Sequence, residues 1–158
     1  MVDPDVLGWL HVFGDKFRRS PGCVACEGVL GFIVSMESAY DLYRNGQDLL
    51  AHGDYAAAAV ALTRARNLEP DKASIREELG RALFRSQRFR EAAVEFEAVA
   101  SGAPTNDYAH FCLGRSLQQL GRHREACRPL AIAACLRPER PGYRSYRDQA
   151  RRLAARAK

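Results

Sequence analysis

Residues 39 to 70 read AYDLYRNGQDLLAHGDYAAAAVALTRARNLEP, and two further segments with the same pattern follow directly. Prolines and glycines mark the period, recurring every 34 residues as Pro70, Pro104 and Pro138 and as Gly46, Gly80 and Gly114. No insertion or deletion disturbs the three copies between Ala39 and Pro138. A fixed period of this length indicates an array of stacked supersecondary units.

Apolar and small side chains recur at the same interval within the three segments. They include Leu49, Leu83 and Leu117, Ala58, Ala92 and Ala126, and Leu62, Phe96 and Leu130. The chain thereby resembles the tetratricopeptide repeat family, whose unit is a helix-turn-helix with small residues at the helix crossing and a closing Pro. The resemblance implies an all-α fold, a right-handed α-solenoid of three such units with a C-terminal capping helix.

The period also predicts how the chain is divided. Residues 1–35 would form an N-terminal arm, residues 36–140 three units (39–72, 73–106 and 107–140), and residues 141–158 a basic capping helix. Helices are predicted at 39–52, 55–67, 74–86, 89–100, 107–120 and 123–136. Gly46 within the first helix costs about 0.8 to 1 kcal/mol relative to Ala, so we expect a close helix crossing there, with Ala58 and Ala65 as the facing surface. Pro129 is expected to bend or loosen the last repeat helix, unless that helix starts later.

The N-terminal arm leaves three interpretations open. A basic stretch before an apolar run would suit a secretory signal, although the first basic residue is Lys16 and Glu27 interrupts the run. Cys23 and Cys26 could form half a zinc site or a redox pair, although no second pair and no βαβ pattern accompany them. The arm could otherwise be an appendage that caps the array or stays loose, or an upstream extension before Met36.

Charge and cysteine content suggest the setting. The net charge is +5, and the part from Asp107 onward carries twelve Lys or Arg against four acids, a net +8, so the preceding part carries −3. Five cysteines are an odd number, which favours reduced thiols and a cytoplasmic location. Cys112, Cys127 and Cys135 fall in predicted helices and are expected to act as small buried apolar residues. No apolar run reaches the roughly 18 to 20 residues of a membrane span.

The resemblance implies a binding surface, because the first helices of such units line a concave groove that receives a peptide or helix of another protein. By position, the groove here would present Tyr40, Tyr43 and Gln47, then Ser74, Glu77, Arg81, Phe84 and Arg85, then Tyr108, Phe111, Arg115 and Gln118. Aromatic and arginine side chains are common interface anchors. We expect about half of these aromatics to fill the space between repeats instead.

Some members of the family hold the C-terminal carboxylate of chaperones with two lysines, two asparagines and an arginine. The corresponding positions here are Tyr43, Gln47, Glu78, Tyr108 and Cys112, which argues against binding of chaperone tails. The four histidines are scattered without a nucleophile or carboxylate at a catalytic spacing, and no phosphate-binding loop occurs. The sequence therefore predicts neither an enzyme, nor a cofactor, nor a metal site.

Two functions remain open at this point. The first is a non-enzymatic adaptor or scaffold that binds an acidic and apolar segment of a partner protein in the groove. The alternative is an anion binder for RNA, DNA or an acidic membrane surface, acting through the basic third repeat and C-terminal helix. The sequence favours the adaptor, because a terminal capping helix needs a polar outer face in any case.

Overall fold

A computed structural model describes residues 37–156, and these residues form seven α-helices. The helices are α1 (Ala39–His52), α2 (Tyr55–Leu68), α3 (Ala73–Arg85), α4 (Phe89–Gly102), α5 (Asp107–Gln119), α6 (His123–Leu136) and α7 (Pro141–Arg156). The six predicted repeat helices agree with these bounds to within two residues. The predictions about the N-terminal arm, with Cys23 and Cys26, lie outside the described residues.

Each helix packs against the next one along the chain, α1 also contacts α3, and α5 also contacts α7. The main helix contacts of residues 37–156 therefore run within a unit or between neighbouring units, as in an α-solenoid. None of the helices in the described part of the chain is long and apolar enough to cross a membrane.

The recurring glycines lie where the two helices of a unit cross. A Cβ atom built on Gly46 would stand 2.5 Å from Cγ of Leu62, and one on Gly80 would stand 2.8 Å from Cζ of Phe96. Leu62 and Phe96 are fully buried, so neither side chain has solvent to move into. The expected close crossing is therefore present. The facing group was predicted wrongly, because the glycine accommodates a large side chain rather than Ala58 or Ala65.

Local signals explain where several helices begin. The Ser38 hydroxyl accepts a hydrogen bond from the backbone N–H of Asp41, whose carboxylate in turn accepts from the backbone N–H of Ser38. Asp54 and Asn106 cap α2 and α5 through the backbone N–H groups of Ala57 and Ala109. Such caps satisfy helix N–H groups that would otherwise lack an intrahelical acceptor.

The turns inside the three units share one backbone conformation. At the same repeat position in each turn, one or two residues after the first helix, φ is positive, 84° at Gly53, 63° at Gln87 and 74° at Gly121. The left-handed region favours glycine because a Cβ atom crowds the following carbonyl oxygen. Gln87 is therefore the strained member of the set.

Two sequence expectations concern the third unit. Helix α6 starts at His123 as predicted and continues through the buried Pro129 to Leu136, although Pro129 has no N–H for the Glu125 carbonyl. Cys135 is exposed rather than buried as expected, and Cys112 and Cys127 are half-buried. All three thiols are free.

Helix α7 packs on the last unit through one apolar stripe. Tyr143 and Ala150 are buried, and Ala150 packs with Leu117 and Leu130 from α5 and α6. The Tyr143 hydroxyl donates to the Asp107 carboxylate at 2.9 Å, which anchors the start of α7 to the start of α5. The helix thus covers apolar surface at the end of the third unit, as a capping helix does.

A buried carboxylate ties the first two units together. Glu95 on α4 is only 3% exposed and accepts from the guanidinium of Arg66 on α2 at 2.5 Å and from that of Arg76 on α3 at 2.9 Å. Arg76 also donates to the carbonyl of Pro70 at 2.6 Å. One acidic side chain therefore joins three helices, and we call this set the Glu95 bridge.

Candidate functional site

An open cavity of about 460 Å³ lies mainly between α3 and α5. It is lined by Leu50, Tyr55, Arg81, Phe84, Arg85, Phe96, Tyr108, Phe111, Cys112, Arg115 and Tyr146, and we call it the aromatic cavity. Most of these residues come from α3 and α5, with one side chain each from α1, α2, α4 and α7. Its size and apolar walls are those of a site for a small molecule or a short peptide segment.

Helix α5 supplies the largest share of the wall because of its residue spacing. Tyr108, Phe111, Cys112 and Arg115 follow one another at steps of three, one and three, which places them on a single face of a helix. Arg81, Phe84 and Arg85 do the same on α3. Two parallel rows of aromatic and cationic side chains therefore face one space.

Ring contacts fix the aromatic walls in place. Phe111 stacks on Tyr143 at 4.5 Å between centroids and meets the edge of Tyr146 at 5.5 Å. Tyr108 contacts Phe96 edge to face at 6.5 Å. Aromatic pairs of this geometry contribute stabilisation in addition to that from burying the ring area. The wall is therefore largely preformed.

The three arginines of the cavity are held in different ways. Arg81 donates to both carboxylate oxygens of Glu78 at 2.8 Å. Arg85 donates to the Tyr55 hydroxyl at 2.7 Å, and its guanidinium lies 4.9 Å from the centre of that ring. Arg115 lies 3.8 Å above the ring of Tyr146.

Arg85 and Arg115 form no ion pair with any residue of 37–156. An aromatic face orients a guanidinium without neutralising its charge. Both side chains therefore keep a full positive charge and free N–H donors for an anionic group in the cavity.

The remaining polar groups of the α5 wall stay neutral at physiological pH. Burial raises the pKa of the Cys112 thiol to about 11. Burial also raises the pKa of the Tyr108 hydroxyl, and the neighbouring Cys112 adds to that effect. A neutral thiol is a poor nucleophile, so Cys112 contributes a wall rather than reactivity.

Six of the residues assigned to the groove by position line the aromatic cavity: Arg81, Phe84, Arg85, Tyr108, Phe111 and Arg115. The other assigned residues lie elsewhere. Tyr40 is 60% exposed at the start of α1. The Tyr43 hydroxyl accepts from the Gln47 amide at 2.9 Å, one turn further along the same helix.

Two further assigned residues hold the scaffold together. Glu77 accepts a hydrogen bond from the Asn106 side chain, which links α3 to the cap of α5. Gln118 donates to the backbone carbonyl of Tyr146 at 3.2 Å, which links α5 to α7. Ser74 is exposed near the start of α3.

Assignment by position to the first repeat helices missed several lining residues. Tyr55 begins a second helix, and Tyr146 belongs to α7, so neither falls on a first helix of the three units. A signal for Tyr146 was present, because it follows Cys112 by one full period of 34 residues. Phe96 fills the crossing at Gly80 and also reaches the cavity, a double role that spacing does not predict.

Within residues 37–156, no three His, Cys, Asp or Glu side chains form a group that could hold a metal ion.

Family comparison agrees with the geometry. A model of the tetratricopeptide repeat matches residues 43–108 and again residues 79–144, which together cover more than half of the chain. The chain belongs to the tetratricopeptide repeat family. Members of this family generally serve as protein-interaction modules, and the chain has the fold of such a module. Among curated protein sequences, none matches the chain significantly.

Solved structures share the same fold at low sequence identity. The first repeat domain of Spaghetti (RPAP3), bound to the HSP90 peptide SRMEEVD, has a TM-score of 0.70 at 18% identity over 75% of this chain and 94% of that one. The Sgt2 repeat domain from Aspergillus fumigatus has a TM-score of 0.67 at 16% identity over 75% and 80% of the two chains. MamA from Desulfovibrio magneticus RS-1 has a TM-score of 0.66 at 21% identity over 75% and 73%.

Proposed function

We propose that the chain is a non-enzymatic adaptor that binds a segment of a partner protein in the aromatic cavity. The observation that carries the proposal is the pair of unneutralised guanidiniums, Arg85 and Arg115, set in aromatic walls that ring contacts hold in place. Preformed walls reduce the entropy that binding costs. A cytoplasmic location belongs to the same proposal, because Cys112, Cys127 and Cys135 are free thiols.

The ligand chemistry follows from what the cavity offers. Asp or Glu side chains would pair with Arg85 and Arg115, and neighbouring apolar side chains would contact Phe84, Tyr108 and Phe111. An acidic segment without apolar residues would leave the aromatic walls unfilled. We therefore infer a segment in which acidic and apolar residues alternate closely.

The ligand should differ from the HSP90 peptide that the Spaghetti domain binds. At two of the positions that correspond to the family's carboxylate clamp, this chain has Glu78 and the neutral Cys112. The Glu78 carboxylate occupies the guanidinium of Arg81 and would repel a terminal carboxylate there. The unpaired cations lie one turn further along α3, at Arg85, and on α5, at Arg115.

Display of proteome-derived peptides against the whole chain tests the proposal. Bound peptides should be enriched in Asp or Glu next to Leu, Ile, Phe or Tyr, and fluorescence anisotropy then gives their affinity. Arg115→Glu should weaken binding by more than about 1 kcal/mol, as truncation of an interface anchor commonly does. Arg85→Glu should have an effect of similar size, because Arg85 also keeps an unneutralised charge in the cavity.

The matched control is the double variant Arg151→Glu/Arg152→Glu on the exposed face of α7, which should bind as the wild type does. Circular dichroism must show equal helicity for all variants. If the α7 variant loses binding and Arg115→Glu keeps it, the assignment to the aromatic cavity is wrong.

A second candidate is anion binding through α7. Arg144, Arg151, Arg152 and Arg156 are exposed and form no ion pair with residues 37–156. A nucleic acid bound there would lose affinity steeply as salt rises, because binding releases counterions. An apolar-anchored peptide complex should weaken far less over the same range. Titration of single-stranded RNA at two salt concentrations therefore separates the two candidates.

A further inference from the structure

A second groove lies between α4 and α6, on the other side of α5 from the aromatic cavity. Its volume is about 700 Å³. Leu113 and Leu117 of α5 form part of its floor, and Val94 of α4 and Ile132 of α6 form part of its walls. Val94 is 58% exposed, which is high for a branched apolar side chain. We call this site the α4–α6 groove.

The Glu95 bridge between the first two units has no counterpart at this groove. Between the first two units, Arg66, Arg76 and Glu95 join α2, α3 and α4. One period of 34 residues later, the equivalent positions are Ala100, His110 and Pro129, and all three line the α4–α6 groove. Two long cations and a carboxylate are thus replaced by residues that cannot span the gap between the helices.

The open groove carries a positive charge at its rim. Four arginines and two glutamates line it, and one of the glutamates, Glu125, already pairs with Arg122. Arg90 and Arg128 stand on opposite walls and form no ion pair with residues 37–156. An apolar floor between two unneutralised cations is complementary to a ligand with an apolar face and acidic flanks.

The two sites use opposite faces of α5. Leu113 and Leu117 are one turn apart on the face toward the α4–α6 groove, whereas Phe111 and Arg115 point into the aromatic cavity. Substitutions at Arg90 and Arg128 therefore leave the wall of the aromatic cavity intact, and the two sites can be tested separately.

We propose that the α4–α6 groove docks an acidic amphipathic helix of a partner protein. The groove runs between two helices, so a third helix can lie along it and place apolar residues at steps of three and four over Leu113, Leu117 and Ile132. Carboxylates on the flanks of that helix reach Arg90 on one wall and Arg128 on the other. This interaction is separate from ligand binding in the aromatic cavity and does not require it.

The test uses a fluorescein-labelled synthetic peptide of about four helical turns, with Leu on one face and Glu on both flanks. A second peptide of the same pattern carries Lys in place of Glu. The acidic peptide should bind the wild-type chain, and the Lys peptide should not. Anisotropy should show at least about tenfold weaker binding of the acidic peptide to Arg90→Glu/Arg128→Glu.

The matched control is Arg44→Glu/Arg151→Glu, which makes the same change in net charge at two exposed arginines outside the groove. It should bind the acidic peptide as the wild type does, and so should Arg115→Glu in the aromatic cavity. Equal weakening by the control would show a general charge effect and overturn the proposal. Loss of binding in Arg115→Glu alone would place the peptide in the aromatic cavity and overturn it as well.

A second variant closes the groove without changing Arg90 or Arg128. Ala100→Arg/His110→Arg/Pro129→Glu copies the Glu95 bridge into the next repeat interface and should abolish peptide binding while helicity is kept. If this variant folds and binds the acidic peptide with unchanged affinity, the groove is not the site. Absence of any binding of the acidic peptide to the wild type up to about 1 mM also refutes the proposal. Competition of the bound peptide by single-stranded RNA would reassign the surface to nucleic acid.

Discussion

Removing the carboxylate of the Glu95 bridge, with Glu95→Ala, should destabilise the array strongly. Glu95 is 3% exposed and is the shared acceptor of Arg66 and Arg76. Loss of one partner of a buried ion pair typically costs about 3 to 5 kcal/mol, because the remaining charge is left without a counter-charge. Here the side chains of Arg66 and Arg76 are 30% and 24% exposed, so water can solvate them in part. We therefore expect a loss of about 2 to 4 kcal/mol in the free energy of unfolding.

The same helix offers a matched control. Glu91 pairs with Arg88 at 2.5 Å, but the Glu91 side chain is 54% exposed. An exposed pair of this kind contributes at most about 1 kcal/mol, because water competes for both charges. Glu91→Ala should therefore change the free energy of unfolding by much less than Glu95→Ala, although both substitutions remove a short ion pair from α4.

Urea unfolding followed by circular dichroism at 222 nm measures both variants. A double-mutant cycle sharpens the result, because Arg76→Ala should cost about 1 to 3 kcal/mol less in the Glu95→Ala background than in the wild type. Equal losses for Glu91→Ala and Glu95→Ala would refute the reasoning. Additive losses for Arg76 and Glu95 would show that the two side chains do not stabilise each other.

Two further predictions concern the turn of the second unit and the wall of the aromatic cavity. Gln87→Gly should raise the free energy of unfolding by about 0.5 to 1 kcal/mol, because it removes a Cβ atom from a left-handed backbone. The reverse change at the equivalent position, Gly121→Gln, should lower the free energy of unfolding. An unchanged urea midpoint for both variants would contradict the strain argument. Iodoacetamide at pH 8 should label Cys112 far more slowly than the exposed Cys135. Because only the thiolate reacts, the labelling rate of Cys112 should increase about tenfold per pH unit until the pH approaches 11. Peptide mapping by mass spectrometry measures both rates, and equal labelling in the folded chain would show that the Cys112 thiol is as accessible as that of Cys135.

The periodic residues predicted the fold well because they encode local geometry. Each Gly at a helix crossing, with the Pro that closes the same unit, is a requirement of one helix pair and can be seen within a single segment of the sequence. The Glu95 bridge was not predicted, since its partners lie 29 and 19 residues away and nothing in the spacing marks a charged residue as buried. Pro129 was expected to bend or loosen α6; the helix continues through it, and Pro129 occupies the position that Glu95 has in the preceding unit.

The candidate site was predicted in part for a related reason. Position within a repeat identifies which residues of α3 and α5 share a face, and Arg81, Phe84 and Phe111 follow from that alone. It does not determine whether a side chain is already engaged, as Glu77 is with Asn106. Tyr146 enters the cavity only because α7 packs against α5, a tertiary contact outside the three units.

Helix α5 is a shared wall, with the aromatic cavity on one face and the α4–α6 groove on the other. The Glu95 bridge fastens α2, α3 and α4 to one another, but no equivalent bridge fastens α4 to α5 and α6 at the corresponding positions. Because the two sites lie on opposite faces of α5, a displacement of α5 that widened one of them would narrow the other. Occupancy of either site would then set the width of the other site. The two ligands would be thermodynamically linked through the position of α5, and each would change the affinity of the other by the same factor.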